Sequence, residues 1–301
     1  MSAADQTTAE RSGMRTASRR DRQRVALQPP NLGRTLRSEW VKFWTLPSSI
    51  WIIAITIVVM VGLSALMAWG LSLGGESGAP QDPSAGGGAD VSVQPGEGAQ
   101  LPALGLVAVT FSYSVGQIVL AVLGVLVATS EYATGQIRAT LTAVPTRTPV
   151  LVAKVILVAL VALGLGALAV GLSWLATYPI LQPEGLHLDP AVEGTWRTLA
   201  GVPLYLAAIA LFSLGVGFLL RHTAGAIAAV LGVLLVLPIL TMIPIDWVQD
   251  LALYLPASAG ERLVLGAPDD TLSEWQGYAV LCAYAVAALA AAAVLLRRRD
   301  A

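Results

Sequence analysis

Six long apolar stretches constrain this chain more than any other feature of its sequence. A helix needs roughly 20 mainly apolar residues to cross the hydrocarbon core of a bilayer. Six stretches meet this requirement, at approximately residues 50–71, 104–128, 150–175, 199–220, 224–243 and 278–296. Only 12% of the 301 residues are charged, whereas a soluble domain has about 25%. The sequence therefore predicts an all-α integral membrane protein with six transmembrane helices.

The basic residues predict how the spans are oriented. With the amino terminus in the cytosol, sixteen of the eighteen Lys and Arg residues fall in cytosolic segments, and only Arg197 and Arg262 fall outside. Thirteen of the nineteen acidic residues fall in the three external loops. This distribution follows the positive-inside rule. We therefore expect both termini in the cytosol, since an odd number of spans would move one basic end outside.

The chain before the first span has two predicted parts. Residues 1–31 are rich in Arg and contain the Pro29-Pro30 pair, so we expect a disordered basic cytosolic tail. Residues 32–46 are expected to form an amphipathic helix at the membrane interface, and 47–301 the six-helix transmembrane domain. The apolar positions of the amphipathic helix recur every three or four residues and are Leu32, Leu36, Trp40, Phe43 and Trp44. Its polar positions are Arg34, Arg37, Glu39 and Lys42. The helix is either a plain membrane anchor or a lever that joins a cytosolic partner to the first span.

The second cytosolic loop, from Ser130 to Lys154, carries more information than a connector needs. Ile137 and Leu141 lie one helical turn apart. The residues around this apolar pair include Glu131, Gly135, Gln136 and Arg138, and Pro145 and Pro149 follow it. The residues alone leave two interpretations open, a docking helix or a solvated connector. Lys154 is expected to extend its ammonium group to the cytosolic interface.

The last external loop predicts two short helices separated by a proline. Asp246 can cap the first helix, which bears Trp247, Leu251 and Leu255. After Pro256, the spacing of Ser258 and Glu261 is that of a capping box for the second helix. Both helices are too short to cross a bilayer. They form either a re-entrant hairpin or a pair of interfacial helices.

Several classes of function lack their usual residues in this sequence. No ionisable residue lies inside a predicted span away from its ends, which argues against a proton pump. No phosphate-binding loop of the form G-x-x-x-x-G-K-[ST] occurs, so we expect no nucleotide, cofactor or metal to be bound by this chain. No nucleophilic triad or paired-carboxylate site is visible. The basic ends suit anionic lipid headgroups rather than nucleic acid.

Three segments resemble the permease subunits of type 2 ABC exporters, particularly actinobacterial ones. These segments are SEWVKFWTLPSSIW from Ser38 to Trp51, the loop from Ser130 to Lys154, and YLPASAG from Tyr254 to Gly260. The resemblance extends from about Leu36 to the last span. It implies a permease half in a bacterial plasma membrane that pairs with a second, identical or homologous half. A separate ATPase dimer would dock beneath the pair and bind ATP and Mg²⁺.

The resemblance also implies roles for particular residues. The first helix, with Leu36, Trp40, Phe43 and Trp44, would be the connecting helix. The segment from Glu131 to Leu141, with Gly135, Ile137 and Arg138, would be the coupling helix that enters a cleft on the ATPase. The hairpin with Trp247, Leu251, Leu255 and Pro256 would form the external gate.

Two other classes of function remain open on the sequence. The first is a secondary transporter or a channel, because backbone carbonyls can bind sodium without any charged side chain. The second is a membrane protein without a transport function, such as a scaffold or an intramembrane enzyme. A copurifying ATPase would favour the exporter.

The predicted topology can be tested by labelling single cysteines in intact cells with an impermeant thiol reagent. Cysteines at Ser84, Glu193 and Asp269 should react, because these positions fall in the three external loops. Cysteines at Ser18 and Thr146 should react only after the cells are permeabilised. Labelling of the Thr146 position from outside would contradict the six-span topology.

Overall fold

The computed structural model describes residues 32–45, 47–77, 101–133, 148–183, 185–186, 188, 191, 194–267 and 272–298. Over these residues the backbone forms ten α-helices, a π-helical segment and a 3-10 segment, and it contains no strand. The predicted tail at 1–31 lies outside this part of the chain. The fold is therefore all-α, as the sequence predicts.

The helices follow one another in this order: α1 (Leu32–Thr45), α2 (Pro47–Ser77), α3 (Leu101–Thr110), α4 (Tyr113–Ala133), α5 (Thr148–Leu181), α6 (Thr195–Leu220), α7 (Thr223–Leu231), α8 (Asp246–Ala252), α9 (Pro256–Leu265) and α10 (Glu274–Arg298). The π-helical segment Gly232–Val236 and the 3-10 segment Leu237–Met242 continue α7.

Six helical segments are long and apolar enough to cross a membrane. They are Pro47–Leu73, Leu104–Tyr132, Pro149–Leu181, Thr195–Leu220, Thr223–Met242 and Glu274–Leu296. A helix satisfies its own backbone hydrogen bonds, which lipid cannot do, so apolar stretches of this length become helices. The six predicted spans are confirmed in number, and each overlaps one of these segments. We number them one to six in chain order.

The fourth span is the centre of the bundle. In its most apolar window 78% of the residues are buried, against 17% in the first and fifth spans and 22% in the sixth. Helix α6 packs against α4, α5 and α10. Glycines allow this close packing: a Cβ on Gly124 would lie 2.3 Å from the carbonyl oxygen of Ala210, and one on Gly215 would lie 2.7 Å from the Cβ of Ala288. The core is therefore formed around α6.

The second span is interrupted where α3 ends and α4 begins. Phe111 and Ser112 form a turn between the two helices. The hydroxyl of Ser64, on α2, donates to the carbonyl oxygen of Val109 at 3.0 Å and lies 3.0 Å from the hydroxyl of Ser112. A polar side chain from the first span thus partners the backbone where the helix breaks, as buried carbonyl groups require.

The fifth span departs from the regular helix that its composition predicts. Helix α7 ends at Leu231, and the π-helical and 3-10 segments carry the chain on to Met242. Pro238 lies at the start of the 3-10 segment. Proline has no backbone N–H to donate to the preceding turn, so Pro238 removes one hydrogen bond from the helical ladder there. Pro203 has a milder effect, because α6 continues unbroken past it.

The caps expected for the two short helices are wrong. Helix α8 begins at Asp246 itself and α9 begins at Pro256, and neither has a side-chain cap. Proline is favoured in the first turn because its missing N–H has no helical partner there in any case. Ser258 and Glu261 therefore lie inside α9 rather than at its boundary. Glu261 is free to point toward other helices.

The tight contact at Gly124 predicts a stability difference between two Gly→Ala substitutions in spanning helices. Gly124→Ala should destabilise the protein by about 1–3 kcal/mol, because the added Cβ overpacks a filled contact. Gly164→Ala is the matched control, since a Cβ there meets nothing within 4 Å. It should stabilise the helix by about 0.5–1 kcal/mol. Thermal unfolding in detergent measures both, and equal effects would contradict the packing around α6.

Candidate functional site

Four charged side chains meet where α1 packs against the bundle. Glu39 and Lys42 lie about one turn apart on α1, Glu131 lies near the end of α4, and Lys154 lies near the start of α5. We call Glu39, Lys42, Glu131 and Lys154 the charge cluster. It joins α1 to the two helices that flank residues 134–147.

Lys154 is the centre of the charge cluster. Its Nζ atom lies 2.7 Å from Glu39 Oε2, 3.1 Å from Glu131 Oε1 and 3.4 Å from the carbonyl oxygen of Val127. An ammonium group has three N–H donors, and Lys154 uses all three. Lys42 Nζ lies 2.9 Å from Glu39 Oε1 and 3.0 Å from Glu131 Oε1. Each lysine therefore bridges both carboxylates.

Three members of the charge cluster are buried. The side chains of Glu39 and Lys154 are each 3% exposed and that of Glu131 is 5% exposed, whereas that of Lys42 is 42% exposed. The expectation that Lys154 extends to the interface is therefore wrong. Its carboxylate partners approach it inside the bundle, so its charge is compensated there. The two carboxylates and two ammonium groups have no net charge together.

The electrostatic environment keeps the two α1 members ionised. Burial alone would raise the pKa of Glu39, but the charge of Lys154 and hydrogen bonds from Lys154 and Lys42 outweigh it and hold the pKa below its ordinary 4.5. Burial would lower the pKa of Lys42, but Glu39 and Glu131 raise it above 10.5. A carboxyl with a lowered pKa stabilises the docked α1 fully above about pH 4.5 and loses that effect as the pH falls further.

The amphipathic helix forms as predicted, but its buried face differs from the expected one. Thr35, Glu39 and Phe43 recur every four residues and face the bundle. Trp40 and Trp44 are 43% and 47% exposed, and Leu36 is half-buried. The ion pairs determine this face, because a buried, unpaired Lys154 would cost more free energy than exposing two tryptophans. Among the predicted connecting-helix residues, only Phe43 is fully buried.

The predicted coupling residues are only partly within the described chain. Glu131 lies in the charge cluster, where its Oε1 atom accepts from both lysines. Gly135, Ile137, Arg138 and Leu141 lie outside the described residues. Their contact with an ATPase stays a prediction.

A second polar cluster lies deeper in the bundle and was not expected from the sequence. The hydroxyl of Tyr205, on α6, donates to Gln117 Oε1, on α4, at 2.5 Å, and Tyr205 is completely buried. Glu261 of α9 also lies against the side chains of Tyr205 and Gln117. The ring of Tyr113 packs edge-on against that of Tyr205. Helix α9 thus carries a carboxyl group to residues near the middle of the second and fourth spans.

The location of Glu261 changes its proton affinity. Burial raises its pKa to about 7, and the polar interactions with Tyr205 and Gln117 only partly offset this rise. An acid with a raised pKa is neutral below that pH and becomes a buried anion above it, so α9 packs less favourably as the pH rises through 7. Helix α9 thus places an acid against residues near the middle of the second and fourth candidate spans.

The predicted gate residues differ in exposure, and their role as a gate stays a prediction. Trp247 and Leu251 on α8 are 69% and 57% exposed, Leu255 is half-buried, and Pro256 is buried at the start of α9. Helix α9 packs against α6 and α10, and α8 contacts the 3-10 segment of the fifth span. The described residues contain no group of three His, Cys, Asp or Glu side chains that could hold a metal ion.

Sequence reasoning missed both clusters, because the members of each come from different helices. The signal for the charge cluster was available, because Glu39 and Lys42 share a helix and Glu131 and Lys154 flank one loop. The signal for the second cluster was weaker. Glu261 lies far in sequence from Tyr205 and Gln117, and its spacing from Ser258 fits a local cap equally well.

Comparisons with known proteins add nothing, since no protein-family model and no curated protein matches this chain.

The charge cluster predicts strong energetic coupling between Glu39 and Lys154. Lys154→Met alone should destabilise the protein by about 3–5 kcal/mol, because it leaves buried carboxylates without their central partner. Adding Glu39→Gln to this variant should lower the free energy of unfolding by less than Glu39→Gln does in the wild type. The reason is that the remaining charges, on Lys42 and Glu131, balance each other. A double-mutant cycle on the free energy of unfolding should give a coupling of about 0.5–3 kcal/mol.

The matched control for this cycle is the ion pair between Arg197 and Glu274. Its side chains are 25% and 30% exposed, so water stabilises either charge when the other is removed. The cycle of Arg197→Gln with Glu274→Gln should give at most about 1 kcal/mol. Equal costs for Lys154→Met and Arg197→Gln would contradict a structural role for the charge cluster.

Proposed function

We propose that this chain is the permease subunit of an ATP-driven exporter of the type 2 ABC class. Six apolar spans support a multi-pass membrane protein. The sequence segments that resemble such permeases support the class. The observation that carries the proposal is the charge cluster, which ties the amphipathic helix α1 to both helices that flank the loop 134–147.

The charge cluster gives a physical route from a partner to the membrane. Breaking a buried ion pair costs several kcal/mol, so α1, the end of α4 and the start of α5 resist separation. A partner that pushes on the loop between α4 and α5 would move α1 with it. Uphill transport requires an energy source that interacts differently with two conformations. An ATPase dimer that binds ATP and Mg²⁺ would supply that difference through this loop.

The proposed assembly contains a second permease subunit in addition to the ATPase dimer. In the most apolar windows of the first, fifth and sixth spans, only 17%, 17% and 22% of the residues are buried. This surface is available to lipid and to an identical or homologous permease half. We propose that the chain lies in a bacterial plasma membrane with both termini cytosolic. The charge cluster then lies on the cytosolic side, and the hairpin of α8 and α9 forms part of the external gate.

A second candidate function is favoured by one observation. Glu261 is a largely buried carboxyl with a pKa raised to about 7, held against Tyr205 and Gln117 near the middle of two spans. The other titratable group that faces it is Tyr113 of α4. A carboxyl of this kind can bind a proton on one side of a membrane and release it on the other. Proton-coupled transport is therefore the alternative.

The two functions predict different results when the chain is purified and reconstituted in liposomes. As an exporter subunit, the chain alone should hydrolyse no ATP and should carry no proton current under an imposed pH gradient. The complex isolated with its ATPase should hydrolyse ATP in the presence of Mg²⁺. Replacing Ile137 and Leu141 by Asp should abolish that association, because the apolar pair would bury charge instead of apolar surface.

Two variants make this experiment specific. Glu39→Gln combined with Lys154→Met leaves the loop sequence intact, so the ATPase should still bind while ATP hydrolysis no longer drives transport. Glu274→Gln is the control and should leave both ATPase binding and ATP-driven transport unchanged. A proton current through the chain alone that Glu261→Gln removes would overturn the exporter proposal and establish the alternative.

A further inference from the structure

A cavity of about 340 Å³ lies beside the charge cluster, between α1, the start of α2, and helices α4 and α5. Besides the charge cluster, its polar lining includes Ser48 and Ser49. The cavity reaches the surface where the half-exposed Lys42 lines it. The rest of the lining includes an apolar wall, which consists of Phe43, Ile52, Leu123, Leu126, Val127 and Leu157.

The polar and apolar parts of the lining are separated along the helices. On α2, Ser49 lies in the first turn and Ile52 follows three residues later. On α5, Lys154 is likewise followed by Leu157. Residues three apart lie on the same face of a helix, about one turn from each other. The cavity therefore runs from a polar end, near the ends of these helices, along an apolar wall.

Ser49 has an unmet hydrogen-bonding requirement at the polar end. The residue is only 6% exposed, and its hydroxyl has no hydrogen-bond partner among the described residues. Thr56, further along α2, instead donates to the carbonyl oxygen of Ile52 at 2.7 Å. The hydroxyl oxygen of Ser49 is not fully enclosed, so a molecule in the cavity can reach it. A ligand that bonds this hydroxyl would remove the cost of leaving it unpaired.

The other groups at the polar end are also donors. Lys42 has three N–H donors and uses two of them, on Glu39 and Glu131. The first backbone N–H groups of α2 have no partner within the helix, and the start of a helix carries a partial positive charge. Donors gathered at a helix start favour a ligand that accepts hydrogen bonds, above all an anion.

The charge cluster limits how much negative charge this ligand can carry. Its two carboxylates and two ammonium groups already balance, so only the start of α2 and the exposed side of Lys42 compensate an added anion. A doubly charged phosphate would exceed this compensation, whereas a carboxylate carries a single charge. The cavity volume lies near the lower end of the range for small-molecule sites, so it suits one aliphatic chain rather than two.

We propose that this cavity binds a fatty acid, whose carboxylate accepts hydrogen bonds from Lys42 and Ser49 and whose single chain lies along the apolar wall. The carboxylate lies at the open end, and the chain extends inward from it toward Leu123 and Leu157. The four ion-paired groups of the charge cluster keep their partners. The site does not depend on the exporter function.

The test uses photo-crosslinking on the full chain in nanodiscs. The probe is palmitate with a diazirine on its chain, and peptide mapping should place its adducts on the apolar wall. Unlabelled palmitate should compete at least about tenfold better than methyl palmitate at equal bilayer content, because only the acid makes charge-assisted hydrogen bonds. The amine of the same chain length should not compete, since its ammonium group would lie beside Lys42.

Three outcomes of the crosslinking would overturn the proposal. The first is equal competition by palmitate and methyl palmitate. The second is adducts that map only outside the cavity lining. The third is competition by acetate at the same concentration as palmitate, because acetate has the carboxylate but no chain and would reveal an anion site only.

Two variants with matched controls complete the test. Ser49→Ala should weaken palmitate competition by at least about tenfold, because one hydrogen bond to a charged group is lost. Ser72→Ala removes a hydroxyl of the same helix that does not line the cavity, and should have no effect. Leu126→Trp fills the cavity and should abolish labelling of the apolar wall. Leu168→Trp, at a half-exposed position outside the lining, should preserve it. Unchanged binding in either Ser49→Ala or Leu126→Trp would show that the cavity is not a fatty-acid site.

Discussion

The ion pairs of Lys154 determine how helix α1 packs against the helix bundle. Lys154 belongs to a spanning helix, and an unpaired ammonium group there would be very unfavourable. Glu39 and Glu131 compensate it from two other helices, at 2.7 and 3.1 Å. Because Glu39 lies on α1, the requirement to neutralise a charge in the third span also determines which face of α1 contacts the bundle. Trp40 and Trp44 of α1 are exposed because the opposite face contacts the bundle.

The two polar clusters lie in different physical environments. The charge cluster is compensated internally, because each carboxylate has two cationic partners. The cluster at Glu261 has hydroxyl and amide partners but no cation among its described contacts, so burial raises the pKa of the carboxyl to about 7. The first cluster therefore suits a rigid connection, and the second suits a group that changes its protonation near neutral pH.

The apolar core is organised by backbone proximity rather than by large side chains. The glycines at Gly124 and Gly215 let the backbones of neighbouring helices approach α6 closely. Dispersion contacts dominate the packing of helices in lipid, since there is no water to expel between them. The less buried first, fifth and sixth spans surround this core.

The sequence by itself determined the six spans and the presence of the amphipathic helix. Both depend on local composition and periodicity, because a helix in lipid must satisfy its backbone within one continuous segment. Only the tertiary structure decided that Lys154 is paired and that Thr35, Glu39 and Phe43 face the bundle. It also decided that Glu261 meets Tyr205 and Gln117 rather than capping its own helix. These outcomes depend on partners that are distant in sequence. Several orientations of each helix are equally good locally, and the free-energy cost of burying an unpaired polar group decides which of them is adopted.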